Sequence, residues 1–195
     1  VITGTGGTGV WLDDDAYVTN NGTITGTNSG VRVSEGSTVI NTGTISGAIG
    51  IDAVGSGSTF NLTNSGTITG TGGTAIDGIL GGGVDTYLFN AGSLVTGNIF
   101  PRSGDDVITQ TSSGLASSSV VGIIDGGTGT DTLNFVNGMT SAGGFTNRVT
   151  CNVSDTENTK NYATDTAFVP HDALPNSIAG TGGALYIVGT VDGTN

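Results

Sequence analysis

The sequence predicts an all-β chain built as a parallel β-helix, with about 22-residue coils and three short strands per coil. Three observations predict it. A phrase recurs at a nearly fixed interval: "NNGTITG" (20–26), "NTGTISG" (41–47) and "NSGTITG" (64–70). Each interval carries three short apolar segments parted by glycine-rich corners, the pattern of stacked repeats that bury one another. The composition suits pleated strands. Val, Ile and Thr are abundant, Gly numbers 37, and only 10% of residues are charged, against about 25% in ordinary domains.

Aligned on the isoleucine of the phrase, Ile2, Ile24, Ile45, Ile68 and Leu94 become equivalent, at spacings of 22, 21, 23 and 26. A second column joins Val10, Val31, Ile51 and Ile76, and a third joins Val18, Val39, Leu62 and Leu88. From the third column to the next phrase the gap is always six residues, whereas the gap before it grows as 8, 8, 11 and 12. One corner is therefore fixed, and another tolerates insertion as surface loops do. Side chains alternate between faces along a strand. Ile24, Ile45 and Ile68 then point in, and Thr23, Thr25, Thr44, Ser46, Thr67 and Thr69 point out. Asn20, Asn41, Asn64 and Asn90 fall in one column, where stacked amides can hydrogen-bond along the axis. Gly22, Gly43, Gly66 and Gly92 follow, where a sharp corner would demand positive φ.

The phrase N-x-G-T-I-x-G at this period resembles the passenger domains of bacterial autotransporters and related large surface adhesins. The resemblance covers about residues 1–140. It implies a right-handed β-helix displayed outside a Gram-negative cell. It says little of activity, because such passengers serve as adhesins, proteases, esterases or stalks. The family's C-terminal membrane barrel has no counterpart here.

Charge and cysteine usage narrow the function classes. Four basic residues, Arg32, Arg102, Arg148 and Lys160, face 16 acids, for a net charge of −12. Nucleic acid and anionic membrane surfaces both require clustered Lys and Arg. A single Cys151 builds no disulfide framework and reads as a small buried apolar residue. No apolar run reaches the roughly 20 residues of a membrane-spanning helix. The opening "VITGTGG" carries no signal peptide, which suggests a processed or excised fragment.

Beyond residue 81 the period loosens. "GGTGTDTLNF" (126–135) fits the calcium nonapeptide pattern, which makes Asp131 a candidate calcium ligand, with Asp85 and Asp106 one coil apart on the same edge. The bland alternative is an Asp that caps a Gly turn. Residues 141–195 form an irregular C-terminal cap or small β-module, with strands expected in "VTCNVSD" (149–155) and "ALYIVGTV" (184–191). The acidic run Asp13, Asp14 and Asp15, with Glu35 and Asp52 nearby, reads as a solvated corner or a cation site.

The outward column Trp11, Arg32, Asp52 and Asp77 is the nearest approach to a glycan-processing site. It holds one basic residue with two acids on separate coils. Trp11 is placed to stack on a sugar or to lie over Arg32. His171 has no Ser or Cys partner in a recognisable arrangement. The sequons at Asn21, Asn61 and Asn152 are explained by the abundance of Asn and Thr. The ranked threonines also resemble the arrays of ice-binding β-solenoids. The expectation is a non-enzymatic structural and adhesive segment, without an obligate cofactor, that touches a cell-surface glycan or protein. The alternatives are a filament subunit joined through open strand edges, an ice-binding solenoid, and a glycan-processing enzyme.

Overall fold

The structure is a computed structural model. It describes residues 1–56, 59–113, 116–129, 131–136, 149–151, 178–180 and 183–185. Among these there is no helix, and hence none long and apolar enough to cross a membrane. The strands stack in parallel as a β-solenoid, matching the parallel β-helix expected from the period.

Each coil contributes to three walls. The repeated phrase forms the first: β1 (Ile2–Gly4), β4 (Thr23–Gly26), and the leading parts of β7 (Thr44–Ala53), β9 (Thr67–Asp77), β11 (Leu94–Phe100) and β14 (Ser119–Ile124). The second holds β2 (Thr8–Leu12) and β5 (Ser29–Val33), then the trailing parts of β7, β9, β11 and β14. The third holds β3 (Tyr17–Asn20), β6 (Thr38–Asn41), β8 (Asn61–Asn64), β10 (Thr86–Phe89), β12 (Val107–Ser113) and β15 (Thr132–Val136).

Pairing residue on residue aligns the apolar side chains into columns. Ile24, Ile45, Ile68, Val95 and Val120 fill the first; Val31, Ile51, Ile76, Ile99 and Ile124 fill the second; and Val39, Leu62, Tyr87 and Ile108 fill the third. All are buried. Burying a side chain of this size stabilises by about 1.5–3 kcal/mol, so the stack is held mainly by its interior. Asn20 and Asn41 add a polar seam. The Nδ2 of each donates to the Oδ1 of the next Asn, at 2.8 Å in both cases, ending on Asn64.

The fourth corner departs from the expected register. Val95, not Leu94, lies on Ile68, while Leu94 lies on Thr67 and turns outward. Tyr87, not Leu88, lies on Leu62, and Phe89, not Asn90, lies on Asn64. Asn90 therefore leaves the ladder and donates to Ser65 Oγ at 2.8 Å. The cause is an insertion of two residues. The span from Leu62 to Ile68 is six residues, and that from Tyr87 to Val95 is eight. A large aromatic takes the place of the amide, and the lengthened corner carries Gly92 at φ 84°.

The other corner glycines answer a different demand. Gly22, Gly43 and Gly66 do not have left-handed backbone; of the four expected positions only Gly92 does. Close approach explains Gly43 and Gly66, whereas a Cβ on Gly22 would meet nothing within 4 Å. A Cβ on Gly43 would stand 2.0 Å from the Gly22 carbonyl oxygen, and one on Gly66 would stand 2.1 Å from that of Gly43. Rungs about 4.8 Å apart leave no room for a side chain there.

Past residue 140, Val149–Cys151 pairs in parallel with the trailing part of β14 and adds a rung to the second wall. Ile178–Gly180 and Gly183–Leu185 form an antiparallel pair. The expectations for His171 and Lys160, and for all but the first two residues of the 184–191 strand, lie outside the described residues.

Candidate binding face

Three surface features follow from this register. The first is the ranked hydroxyl face. Thr23, Thr44 and Thr67 lie in one outward column, and Thr3, Thr25, Ser46, Thr69 and Thr96 lie in the next. Rungs are about 4.8 Å apart and the columns two residues apart along the strand, about 6.8 Å. Thr25 Oγ1 and Ser46 Oγ are 3.3 Å apart. The array thins where Leu94 follows Thr67 and Val121 follows Thr96. The interruption thus takes one column per coil, at Leu94 and then at Val121.

The second feature is the outward column of the second wall. Trp11, Arg32, Asp52, Asp77 and Phe100 stack in register. The Arg32 guanidinium lies 5.1 Å from the Trp11 ring centroid, and its Nη1 is 3.6 Å from Asp52. Arg102 mirrors it from a loop. Its Nε donates to Asp77 Oδ1, its Nη2 to Asp77 Oδ2 at 3.0 Å, and its guanidinium lies 5.1 Å from the Phe100 centroid. The Asp52 and Asp77 carboxylates are thus each held by an arginine. A fork-shaped pair of this kind is more directional than a single contact.

The third feature is the corner between the second and third walls, where the variable loops pile up. In four successive coils these loops span 34–37, 54–60, 78–85 and 101–106, followed by 125–131. Their last residues form a column: Ser37, Phe60, Asp85, Asp106 and Asp131. The three aspartates named as candidate calcium ligands are buried in that column. Asp85 Oδ1 accepts Phe60 N–H at 2.8 Å, Asp106 Oδ1 accepts Asp85 N–H at 2.7 Å, and Asp131 Oδ1 accepts Asp106 N–H at 3.0 Å. Asp85 Oδ2 also receives the Tyr87 hydroxyl at 2.9 Å. Each carboxylate therefore ties its loop to the coil before, a role between coils where the sequence suggested a cap within one turn. Among the described residues no group of three or more His, Cys, Asp or Glu side chains has metal-site geometry.

Burial raises the Asp106 carboxyl from 3.8 to about 7, with the neighbouring charges of Asp85, Asp131 and Asp105 adding to it. Burial also raises Asp85, and burial with the nearby Asp85 and Asp106 charges pushes Tyr87 far up. Asp106 Oδ2 is buried without a hydrogen-bond partner, as suits a carboxyl that holds a proton.

Above this column two grooves meet at Arg102 and Leu80. One, of about 240 Å³, is lined by Leu80, Phe100, Arg102, Ser103, Asp125 and Gly127. The other, of about 160 Å³, lies toward Asp52, Val54 and Gly55. Leu80 is 72% exposed. Arg102 sits at φ 88°, one of two left-handed non-glycine residues among those described, the other being Asp15. Sequence reasoning missed Leu80, Phe100, Arg102 and Asp125 as a set, because they come from three coils with no shared motif. Asp13, Asp14 and Asp15 stand exposed on the first loop of this corner.

The fold defines the chain as a parallel β-helix of the β-solenoid class. Compared with protein-family models, curated proteins and solved structures, it matches none.

Proposed function

We propose that the chain is a structural and adhesive segment of an extracellular, surface-displayed β-helical protein, acting by contact through its outer walls and carrying no catalytic site. The observation that carries this reading is the register. Columns of buried apolar side chains run from coil to coil beneath outward ranks of hydroxyl and charged side chains. Such a stack is stiff, and it presents its face without conformational change, which lowers the ordering cost of binding. The resemblance of the repeated phrase to autotransporter passengers and large surface adhesins supports the setting, and a cell-surface glycan or protein is the partner it implies.

The test is saturable adhesion of the labelled chain to cultured bacterial and epithelial cells. Wild type is expected to bind, and the double variant Thr25→Tyr with Thr69→Tyr to bind at least about tenfold more weakly, a loss of about 1.4 kcal/mol. Equal binding by the two proteins would overturn the assignment of the hydroxyl face. A second reading draws on the spacing of that face: a flat lattice of hydroxyls also matches an ordered lattice of water. The same double variant separates the two, since thermal hysteresis in wild type that disappears in the variant would favour ice.

A further inference from the structure

We propose that the corner around Arg102 is a saccharide-binding site, which holds one neutral pyranose ring in the 240 Å³ groove and lets the glycan continue across Leu80 into the second groove. The proposal rests on the adhesive reading and names the ligand class and the place.

Backbone strain marks the spot. A non-glycine residue at φ 88° costs on the order of 1–3 kcal/mol and persists where its surroundings hold it. Here Asp77 and Phe100 hold it, fixing the guanidinium between both grooves. Nη1 is not engaged by the two bonds to Asp77. Leu80 adds an apolar surface at the junction, kept in place by a loop that Asp85 ties to Phe60, Ile79 and Tyr87.

The chemistry then selects the ligand. The grooves offer donors from Arg102 and Ser103, acceptors from Asp125 and Asp52, and apolar patches from Leu80 and the Phe100 edge. The acids Asp52, Asp77 and Asp125 outnumber Arg102 and the Arg32 that holds Asp52, so an anion is disfavoured. A hydroxyl both donates and accepts, and a pyranose carries several around an apolar C–H face. That combination satisfies alternating donors and acceptors in a space below the roughly 300–1,000 Å³ of drug-sized sites.

Saturation-transfer NMR with methyl α-mannoside, methyl β-galactoside, cellobiose and galacturonate tests this on the whole chain. Wild type is expected to bind at least one neutral sugar, and galacturonate more weakly. Arg102→Gly keeps the fold, because glycine adopts this φ freely, and Leu80→Ser changes an exposed side chain. Each is expected to raise Kd at least tenfold. The proposal is overturned if no neutral sugar binds wild type, if galacturonate binds best, or if either variant binds as wild type does. Cell adhesion that survives Leu80→Ser but is lost with Thr25→Tyr and Thr69→Tyr would sink this site and leave the adhesive reading standing.

Discussion

Raising the pH from 5 to 8 is expected to lower the melting temperature by on the order of 10 °C, and Asp106→Asn to remove most of that dependence. The cause is the carboxylate column under the variable corner. Asp106 lies fully buried between Asp85 and Asp131, with Asp105 nearby, and its carboxyl is raised from 3.8 to about 7. The folded state thus binds this proton more tightly than the unfolded chain. Its stabilisation is complete below about pH 3.8 and is lost as the pH climbs through 7. Three pH units of difference correspond to about 4 kcal/mol at the limit. One kcal/mol moves the midpoint of a chain this long by about 2–4 °C. The raised carboxyl of Asp85 acts in the same direction. Asn at 106 keeps an oxygen for the Asp85 N–H and carries no charge to desolvate. Thermal melts followed by circular dichroism at pH 5, 6.5 and 8 check this. A wild-type profile that rises with pH, or an unchanged dependence in the variant, contradicts it.

Ile45→Asp is expected to abolish folding at pH 7. Ile45 sits at 0% exposure in the middle of the first column, between Ile24 and Ile68. A carboxylate there has no donor within the apolar column, and burying an unpaired charge costs more than it can recover by taking up a proton. Losses above about 4–5 kcal/mol are exceptional for single changes, and this one rivals the 5–15 kcal/mol that holds an ordinary domain together. Far-ultraviolet circular dichroism reads the outcome. A β-rich spectrum that melts near wild type would mean the side chain is not in the core.

The solenoid was legible in the sequence because its period, its alternation and its corner glycines all point to one geometry. Asn20, Asn41 and Asn64 were legible for the same reason. The slip at the fourth corner has a specific cause. Leu88 and Leu94 happen to repeat the spacing of Leu62 and Ile68, and Asn90 imitates the ladder amide. The inward pair Tyr87 and Phe89, two apart and followed by outward Asn90, was the signal that pointed to the true register. The aspartate column was half legible: the interval placed Asp85, Asp106 and Asp131 on one edge. Their burial was hidden, because carboxylates read as exposed unless the donors that satisfy them are known. Those donors are backbone N–H groups a coil away. Likewise the pairing of Arg102 with Asp77 depends on how far a loop folds back across a rung, which no local pattern records.

Every site described here depends on which residue lies on which in adjoining coils, and cysteine cross-linking measures that directly. In a Cys151→Ser background, Thr67→Cys with Leu94→Cys places two outward residues on paired rungs, at the roughly 4.8 Å spacing that a disulfide spans. Mild oxidation is expected to cross-link this pair nearly completely. Thr69→Cys with Leu94→Cys, two positions out of register, is expected to remain largely reduced. Cross-linking of the second pair in preference to the first would contradict the stacked register on which the binding face is built.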